Sequence, residues 1–125
     1  IRFVGWISNE VLPQYLRTVD VYVSTSLSDA GISSCTAEAM ACGLPVVITN
    51  TGENEKWVKD GESGFVIPIK NPEVLAEKII YLIKNKNERF RFGENGRKII
   101  EERNNYYKEM KKMEEIYKEL IRDKL

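Results

Sequence analysis

The stretch that decides the fold is SCTAEAMACGLPVVIT, residues 34–49 of the chain. Its first half, residues 34–42, is rich in alanine and is predicted to form a helix. Gly43 follows at the position where helices often end in the left-handed conformation, and Pro45 beyond it prevents the helix from continuing. The second half, residues 45–49, is the continuous apolar run that is typical of a strand covered on both faces of a parallel sheet. The stretch therefore predicts a helix that leads into a buried parallel strand.

The residues before this stretch predict two more strands and one more helix. Residues 1–7 are mostly apolar and are predicted to form a short buried strand. Residues 10–19 are predicted to form a helix that Ser8 or Asn9 caps, and residues 20–24 a second strand rich in β-branched and aromatic side chains. The predicted apolar stripe of this helix consists of Leu12, Leu16 and Val19.

The residues after it predict a short helix over 53–58, a turn over 60–64 and a last strand over 65–68. Three longer helices are then expected. The first begins at Asn71 as the capping residue, with Pro72 at the first helical position. Its predicted buried face consists of Leu75, Ile79, Leu82 and Ile83.

The other two helices are predicted over residues 88–102 and 105–124. The last one has a predicted apolar stripe at helical spacing, formed by Tyr106, Met110, Met113, Tyr117 and Leu120. Strands that alternate with helices at this interval indicate an α/β fold with a Rossmann-like parallel sheet flanked by helices and a C-terminal helical tail. We expect one domain over residues 1–125, with an α/β core in 1–69 and a mostly helical part in 70–125.

The composition is that of a soluble globular protein: 42% of the residues are hydrophobic, 30% are charged, and the net charge is zero. No basic footprint for nucleic acid is present. Lysine and glutamate interleave in the tail, which indicates a solvated helix surface; the alternatives are a surface for an anionic membrane or for a partner domain. No apolar run is long enough to span a bilayer.

The two cysteines, Cys35 and Cys42, lie seven residues apart in one predicted helix. Their Cα atoms would be about 10 Å apart, too far for a disulfide. We expect both to be small buried apolar residues in a reducing compartment, and hence a cytoplasmic protein. The chain contains no histidine, which excludes histidine-based metal sites and catalytic triads within it.

The loop after the second strand is predicted to bind an anion. In open α/β sheets, ligands bind beyond the carboxyl ends of the strands. This loop is rich in serine and leads directly into the helix that starts at Ser34, whose free amides and positive dipole end favour an anion. Gly31 would let a phosphate approach the backbone. The alternative is an ordinary serine-rich turn with a capped helix.

Glu38 lies four residues beyond Ser34, on the same helix face and about 6 Å from the predicted anion site. Its carboxylate could accept two hydrogen bonds from a vicinal diol, while a diphosphate occupies the helix end. It is the one charged group in a helix segment that we expect to be largely buried, so it needs a partner. The alternative partner is a cation, Arg2, Arg17 or Lys56.

These motifs resemble the donor site of the large retaining glycosyltransferase family 4, whose members have the two-domain GT-B fold. The resemblance rests on DVYVSTS at residues 20–26, AEAMACGLPVV at 37–47, DGESGFVIP at 60–68 and NPEVLA at 71–76. It covers nearly the whole chain and weakens in the tail. The resemblance implies the C-terminal lobe of a GT-B enzyme, which binds a nucleotide-diphosphate sugar and needs no obligatory metal ion.

By match to the family pattern, Glu38 is expected to hold the ribose hydroxyls. The backbone amides of Ile32, Ser33 and Ser34 are expected to hold the diphosphate. Gly5 and Trp6 fall in the segment that lines the base in relatives; the alternative for Trp6 is a core aromatic residue at a strand end.

The chain departs from the family pattern at the acidic residue that contacts the donor sugar. In the family this glutamate stands eight positions before the ribose-binding one, where this chain has Ala30. Asp29, nine positions before Glu38, is therefore the candidate for the sugar contact. Where many relatives have Gly-Gly followed by a glutamate, this chain has GENEK at residues 52–56, and no role is assigned there.

The resemblance also implies a partner lobe. Relatives supply an arginine and a lysine from the segment upstream of the position of Ile1, and an N-terminal domain binds the acceptor. We therefore expect a truncated chain that binds nucleotide sugars weakly without turnover. The full-length enzyme would transfer a hexose in the cytoplasm or at the inner face of the membrane.

Two other function classes stay open. One is a non-catalytic nucleotide-sugar-binding or assembly subunit, which the altered acidic motif favours. The other is a nucleotide-sugar epimerase of the same fold. The lack of histidine counts against the epimerase, because its chemistry is expected to need histidine in the cleft.

Overall fold

The computed structural model describes residues 1–123. Its sheet consists of three parallel strands in the order β1-β2-β3, namely β1 (Tyr22–Ser24), β2 (Val46–Thr49) and β3 (Gly64–Ile67). The predicted α/β class and parallel sheet are confirmed. The helices are α1 (Leu12–Leu16), α2 (Ser34–Ala41), α3 (Asn54–Trp57), α4 (Pro72–Lys84), α5 (Lys86–Arg103) and α6 (Tyr106–Arg122).

Strand β2 lies at the centre of the core, and all four of its residues are buried. Because successive side chains of a strand point to opposite faces, β2 contributes to two separate apolar clusters. Val46 and Ile48 pack with Met40 of α2 on one face. Val47 packs with residues of β3, α4 and α5 on the other face, including Phe92. A strand covered on both faces was predicted from its continuous apolar sequence, and the structure confirms it.

Helix α2 begins and ends as its sequence predicts. Ser33 is the N-cap, and its side chain accepts a hydrogen bond from the amide of Thr36 at 3.2 Å. Gly43 ends the helix with φ of 77°, a left-handed conformation that favours glycine. Helix α4 starts in the same predictable way, because the Asn71 side chain accepts from the amide of Val74 at 3.1 Å.

Helix α5 approaches α2 closely through a glycine. A methyl group on Gly93 would lie 2.8 Å from the carbonyl carbon of Gly43 and still closer to its oxygen. One turn further along α5, a methyl group on Gly96 would meet its nearest atom, Met40 Cε, at an ordinary 3.5 Å. The close approach at Gly93 brings α5 against the C-terminal end of α2.

The first seven residues do not form the predicted strand. They have no strand partner among the described residues, and Phe3 and Trp6 are 93% and 88% exposed. An apolar run forms a strand only where a neighbouring strand accepts its backbone hydrogen bonds. Within the described part of the chain, β1 pairs only with β2. The alternative role of Trp6 as a core aromatic residue is therefore wrong for this chain.

Helix α1 is shorter than the prediction, and its capping differs. It begins at Leu12 with Val11 as N-cap and without a side-chain capping bond. The backbone carbonyl of Ser8, rather than a side chain, accepts from the amides of Val11 and Leu12 at 3.0 and 2.9 Å. Val19 lies beyond the helix and is exposed, so the apolar stripe reduces to its two leucines.

Two smaller corrections concern burial. Ile83 in α4 is 60% exposed, and Val74 is packed against the core instead. Cys35 is exposed and Cys42 is half-buried, although both were expected to be buried. A helix on the surface of a sheet buries only one face, and position 35 falls on the solvent side of α2. Both cysteines are free.

Helix α6 exposes its apolar stripe. The five residues of the predicted stripe are 45–69% exposed, and no residue of this helix is buried within the described part of the chain. Lys124, the last residue of the predicted helix, lies outside the described residues. None of the described helices is long and apolar enough to cross a membrane. The stripe comprises Tyr106, Met110, Met113, Tyr117 and Leu120.

We expect the amides of α6 to exchange with solvent much faster than those of α5. A 17-residue helix that buries none of its residues is marginally stable in water, whereas α5 buries Phe92, Gly93, Gly96 and Ile100. Hydrogen exchange measured over a dilution series distinguishes protection of α6 by self-association from protection within a single chain. Protection of α6 that rises with protein concentration indicates self-association through the stripe. Full protection in a dilute monomer would contradict the prediction.

Candidate functional site

The candidate site lies at the edge of the sheet where β1 and β2 end. The loop after β1, residues 25–33, leads into α2, and the loop after β2, residues 50–53, leads into α3. The first loop is tied to the end of β2, because the hydroxyl of Thr49 donates to the carbonyl oxygen of Ser26 at 2.6 Å. Ligands of open α/β sheets bind at this edge.

The N-terminus of α2 presents free donors to this edge. Ser33 caps the helix, and Ser34, its first residue, is exposed. The first amides of a helix have no acceptor within the helix, so they and the helix dipole favour an anion. A methyl group placed on Gly31 would meet no described atom within 4 Å, so the space in front of this turn is open. Ile32 packs against the core and anchors the loop.

Glu38 lies one turn along α2 and is half-buried. It borders two shallow grooves on either side of the helix, of about 160 and 300 Å³. Neither an ion pair nor a hydrogen bond engages its carboxylate among residues 1–123. The alternative of a salt bridge is therefore wrong in this structure; Lys56, one of the three candidate cations, pairs with Glu53 at 2.6 Å instead.

Asp29 is half-buried and is held by the loop after β2. Its Oδ2 accepts a hydrogen bond from the hydroxyl of Thr51 at 2.9 Å and another from Nδ2 of Asn54 at 3.3 Å. Its Oδ1 has no donor among the described residues. Ala30 beside it is exposed and supplies no polar side chain.

Asn54 is a site residue that sequence reasoning did not single out. It lies at the start of α3 and is 2% exposed. Besides Asp29, its Nδ2 donates to the carbonyl oxygen of Thr49 at 2.9 Å. It lies 25 residues from Asp29 in the sequence, and no local pattern marks such a pairing. Beside it, the hydrogen bond and charge of Lys56 lower the pKa of the exposed Glu53 carboxyl.

Gly5 and Trp6 stand apart from the other predicted residues. Gly5 adopts φ of 76° in the exposed segment before α1, and Trp6 follows it. Neither residue lines the two grooves that Glu38 borders. The structure thus brings together the β1 loop, the α2 N-terminus and Glu38, and leaves the predicted base-lining residues exposed outside this cluster.

The arrangement offers two complementary kinds of hydrogen-bonding group. Unpaired amides at the start of α2 can bind an anion, and the Glu38 carboxylate one turn away accepts hydrogen bonds only, as from hydroxyls. A ligand that carries both an anion and a diol a few ångströms apart would satisfy both. A half-buried carboxylate that has no partner among residues 1–123 is well suited to such a ligand.

Comparisons with known protein sequences, solved structures and family models all relate this chain to glycosyltransferases. An uncharacterised glycosyltransferase of Methanocaldococcus jannaschii is 31% identical over 121 residues, which are 97% of this chain and 31% of that protein. Sucrose-phosphate synthase from Thermosynechococcus elongatus superposes with a TM-score of 0.91 at 28% identity, over 98% of this chain and 30% of the other. Anabaena HepE in complex with UDP-glucose superposes with a TM-score of 0.69 at 27% identity, over 74% of this chain and 25% of the other.

The chain thus spans about a third of the length of these relatives, and its fold is that of GT-B glycosyltransferase domains. The family model of the glycosyl transferases group 1 matches residues 1–99. That match includes every strand of the sheet, the N-terminus of α2 and Glu38. This chain belongs to the glycosyl transferases group 1 family.

Proposed function

We propose that this chain is the nucleotide-sugar-binding domain of a retaining hexosyltransferase of family 4. The observation that carries the proposal is the half-buried carboxylate of Glu38, which no described residue pairs with and which lies one helical turn behind the first amides of α2. In this assignment Glu38 accepts hydrogen bonds from the two ribose hydroxyls. A cation locked to Glu38 would have argued against the assignment.

The diphosphate is assigned to the start of α2, at the amides of Ile32, Ser33 and Ser34. Gly31 leaves the approach to these amides open. Fixed amide dipoles stabilise the negative charge that builds on a departing diphosphate, which is commonly the largest electrostatic contribution in such sites. The proposal therefore requires no bound metal ion.

The comparisons support a nucleotide sugar as the ligand. HepE, at 27% identity, has been crystallised with UDP-glucose, and TarM of Staphylococcus aureus, at 28% identity, with UDP. In this chain the base is assigned to the side of Gly5 and Trp6. The exposed Trp6 ring is free to stack on a base.

Transfer itself would need groups outside this chain. We assign Asp29 to the donor sugar, and we assign acceptor binding and the cations that complete the diphosphate site to a second lobe. The chain alone is then expected to bind nucleotide sugars weakly and not to turn them over. The complete enzyme would work in the cytoplasm, with peripheral contact at the inner face of the membrane.

Replacing Glu38 with alanine is expected to weaken the binding of the matching nucleotide diphosphate about a hundredfold or more. A hydrogen bond to a charged group contributes about 1.5–3 kcal/mol, and Glu38 is assigned two of them. The measurement is a titration of the chain with UDP, GDP and ADP, followed by amide chemical shifts. Glu38→Gln, which keeps the shape and loses the charge, is expected to fall between wild type and Glu38→Ala.

The control is Glu94→Ala, which removes an exposed glutamate of α5. It should leave nucleotide binding unchanged. Nucleotide binding that survives Glu38→Ala at full strength would remove the ribose assignment and, with it, the proposed function.

The exposed alanine at position 30 favours a second candidate, a non-catalytic nucleotide-sugar-binding subunit. Turnover separates the two candidates. A complete protein that binds a nucleotide sugar through Glu38 and releases no sugar with any acceptor or with water supports the subunit; release that Asp29→Asn abolishes supports the enzyme.

A further inference from the structure

The Asp29 carboxylate is anchored by two side chains from the segment that follows β2. Thr51 and Asn54, which follow β2, both donate to Oδ2 of Asp29, and Oδ1 has no donor among the described residues. We propose that Asn54, together with Thr51, is a positioning residue that fixes Asp29 so that Oδ1 faces the donor sugar. This inference rests on the proposed function and deepens it, because it identifies the support for the sugar-contacting acid.

The amide of Asn54 is held in one orientation by its surroundings. Its Nδ2 lies 2.9 Å from the carbonyl oxygen of Thr49, 3.3 Å from Oδ2 of Asp29 and 3.4 Å from the hydroxyl oxygen of Thr51. An amide nitrogen has two hydrogens, so these three oxygens share them. A flipped amide would place its oxygen against a carboxylate and a carbonyl, which is repulsive. Asn54 therefore ties the end of β2 to the Asp29 side chain.

The backbone adds a second constraint at the same place. Gly52 has φ of 56°, and a methyl group on it would lie 2.8 Å from the carbonyl carbon of Asp29 and 3.2 Å from its Cβ. The loop after β2 therefore lies directly against the main chain of Asp29. The segment of residues 51–54 therefore holds both the side chain and the backbone of Asp29.

The groups that anchor Asp29 carry no charge of their own. Thr51 and Asn54 are neutral donors, and no ion pair engages Asp29 within residues 1–123. Neutral donors place no opposing charge beside the carboxylate, which is assigned to a sugar that becomes positive in the transition state. A cation in the same place would have fixed Asp29 equally well but neutralised it.

This support explains how an aspartate can act where Ala30 stands in place of a longer acid. The aspartate side chain is one methylene shorter than that of glutamate, and it stands one residue earlier in the chain. A short side chain has to be placed by its surroundings to reach a ligand. The buried Asn54, 2% exposed, and Thr51, 9% exposed, supply that placement.

The test compares a nucleotide with its sugar conjugate. Wild type, Asn54→Ala, Thr51→Val and Asp29→Asn are titrated with UDP and UDP-glucose, GDP and GDP-mannose, and ADP and ADP-glucose. Affinity for the matching nucleotide alone is expected to stay within about twofold, while affinity for its sugar conjugate falls about tenfold, since the sugar is held through a charged hydrogen bond. The double variant Asn54→Ala/Asp29→Asn should lose no more than Asp29→Asn alone.

Ser63→Ala is the structural control. It also removes a fully buried polar group, whose hydroxyl accepts from the amide of Lys59 at 2.9 Å, but it does so in the turn before β3. It should lower thermal stability without changing the preference for the sugar conjugate. Equal losses for nucleotide and conjugate in Asn54→Ala, or no loss for either, would overturn the positioning role alone. A wild-type chain that binds no nucleotide would overturn the proposed function as well.

Discussion

Gly93→Ala is expected to destabilise the chain by about 2–3 kcal/mol, the usual cost of forcing an extra group into a packed site. Helix propensity alone predicts the opposite sign, because alanine is a better helix former than glycine by about 1 kcal/mol. The new methyl group, however, would overlap the carbonyl group of Gly43 at the end of α2. Backbone cannot move aside as a flexible side chain can, so α5 must shift away from α2.

Gly96→Ala is the matched control, since it introduces the same methyl group one turn along the same helix. Its nearest neighbours, Met40 Cε and the carbonyl oxygen of Ser63, would both lie at 3.5 Å, which is ordinary contact. We expect Gly96→Ala to be neutral or stabilising by up to about 1 kcal/mol. Thermal unfolding should therefore place Gly93→Ala about 10 °C below wild type, with Gly96→Ala at or above wild type. Equal melting temperatures for the two variants would contradict the close approach of α5 to α2.

The parts of the fold that the sequence predicted are those governed by local chemistry. Ser33 and Gly43 specify the ends of α2, and Asn71 with Pro72 specifies the start of α4, because capping depends on residues within one turn. The apolar run of β2 specifies a strand covered on both faces. The first seven residues have an equally apolar sequence, but a strand also needs a partner, which no local pattern supplies.

In the candidate site, too, the local features could be predicted from the sequence and the contact between distant residues could not. Glu38 and the start of α2 lie within one helical turn, so the sequence spacing alone predicts that they are close together. The hydrogen bond between Asp29 and Asn54 joins residues 25 positions apart. The residues around Asn54 are mainly glutamate and lysine, a composition that is typical of exposed segments and gives no sign that Asn54 is buried. Its burial arises from the meeting of two loops at the edge of the sheet. Such a contact becomes visible only when the sheet is assembled.

The second large effect is expected for Gly52→Ala. This substitution should lower the stability of the chain and also abolish its preference for the sugar conjugate over the nucleotide. A left-handed conformation costs a non-glycine residue about 1–2 kcal/mol, and Gly52 has φ of 56°. The added methyl group would also press on the carbonyl group and Cβ of Asp29. The total loss of stability should reach about 3 kcal/mol. The loop that carries Asp29 would be displaced relative to α2.

Gly61→Ala is the control that distinguishes the cost of a left-handed backbone conformation in alanine from the displacement of Asp29. Gly61 has φ of 73°, and a methyl group on it would meet no described atom within 4 Å. We therefore expect Gly61→Ala to cost only the backbone term of about 1–2 kcal/mol and to leave ligand preference unchanged. Titration with a nucleotide and its sugar conjugate, beside thermal unfolding, measures both effects in each variant. If Gly52→Ala kept the wild-type preference for the conjugate, the contact between the two loops would have no part in placing Asp29, because the same methyl group cannot be added without moving it.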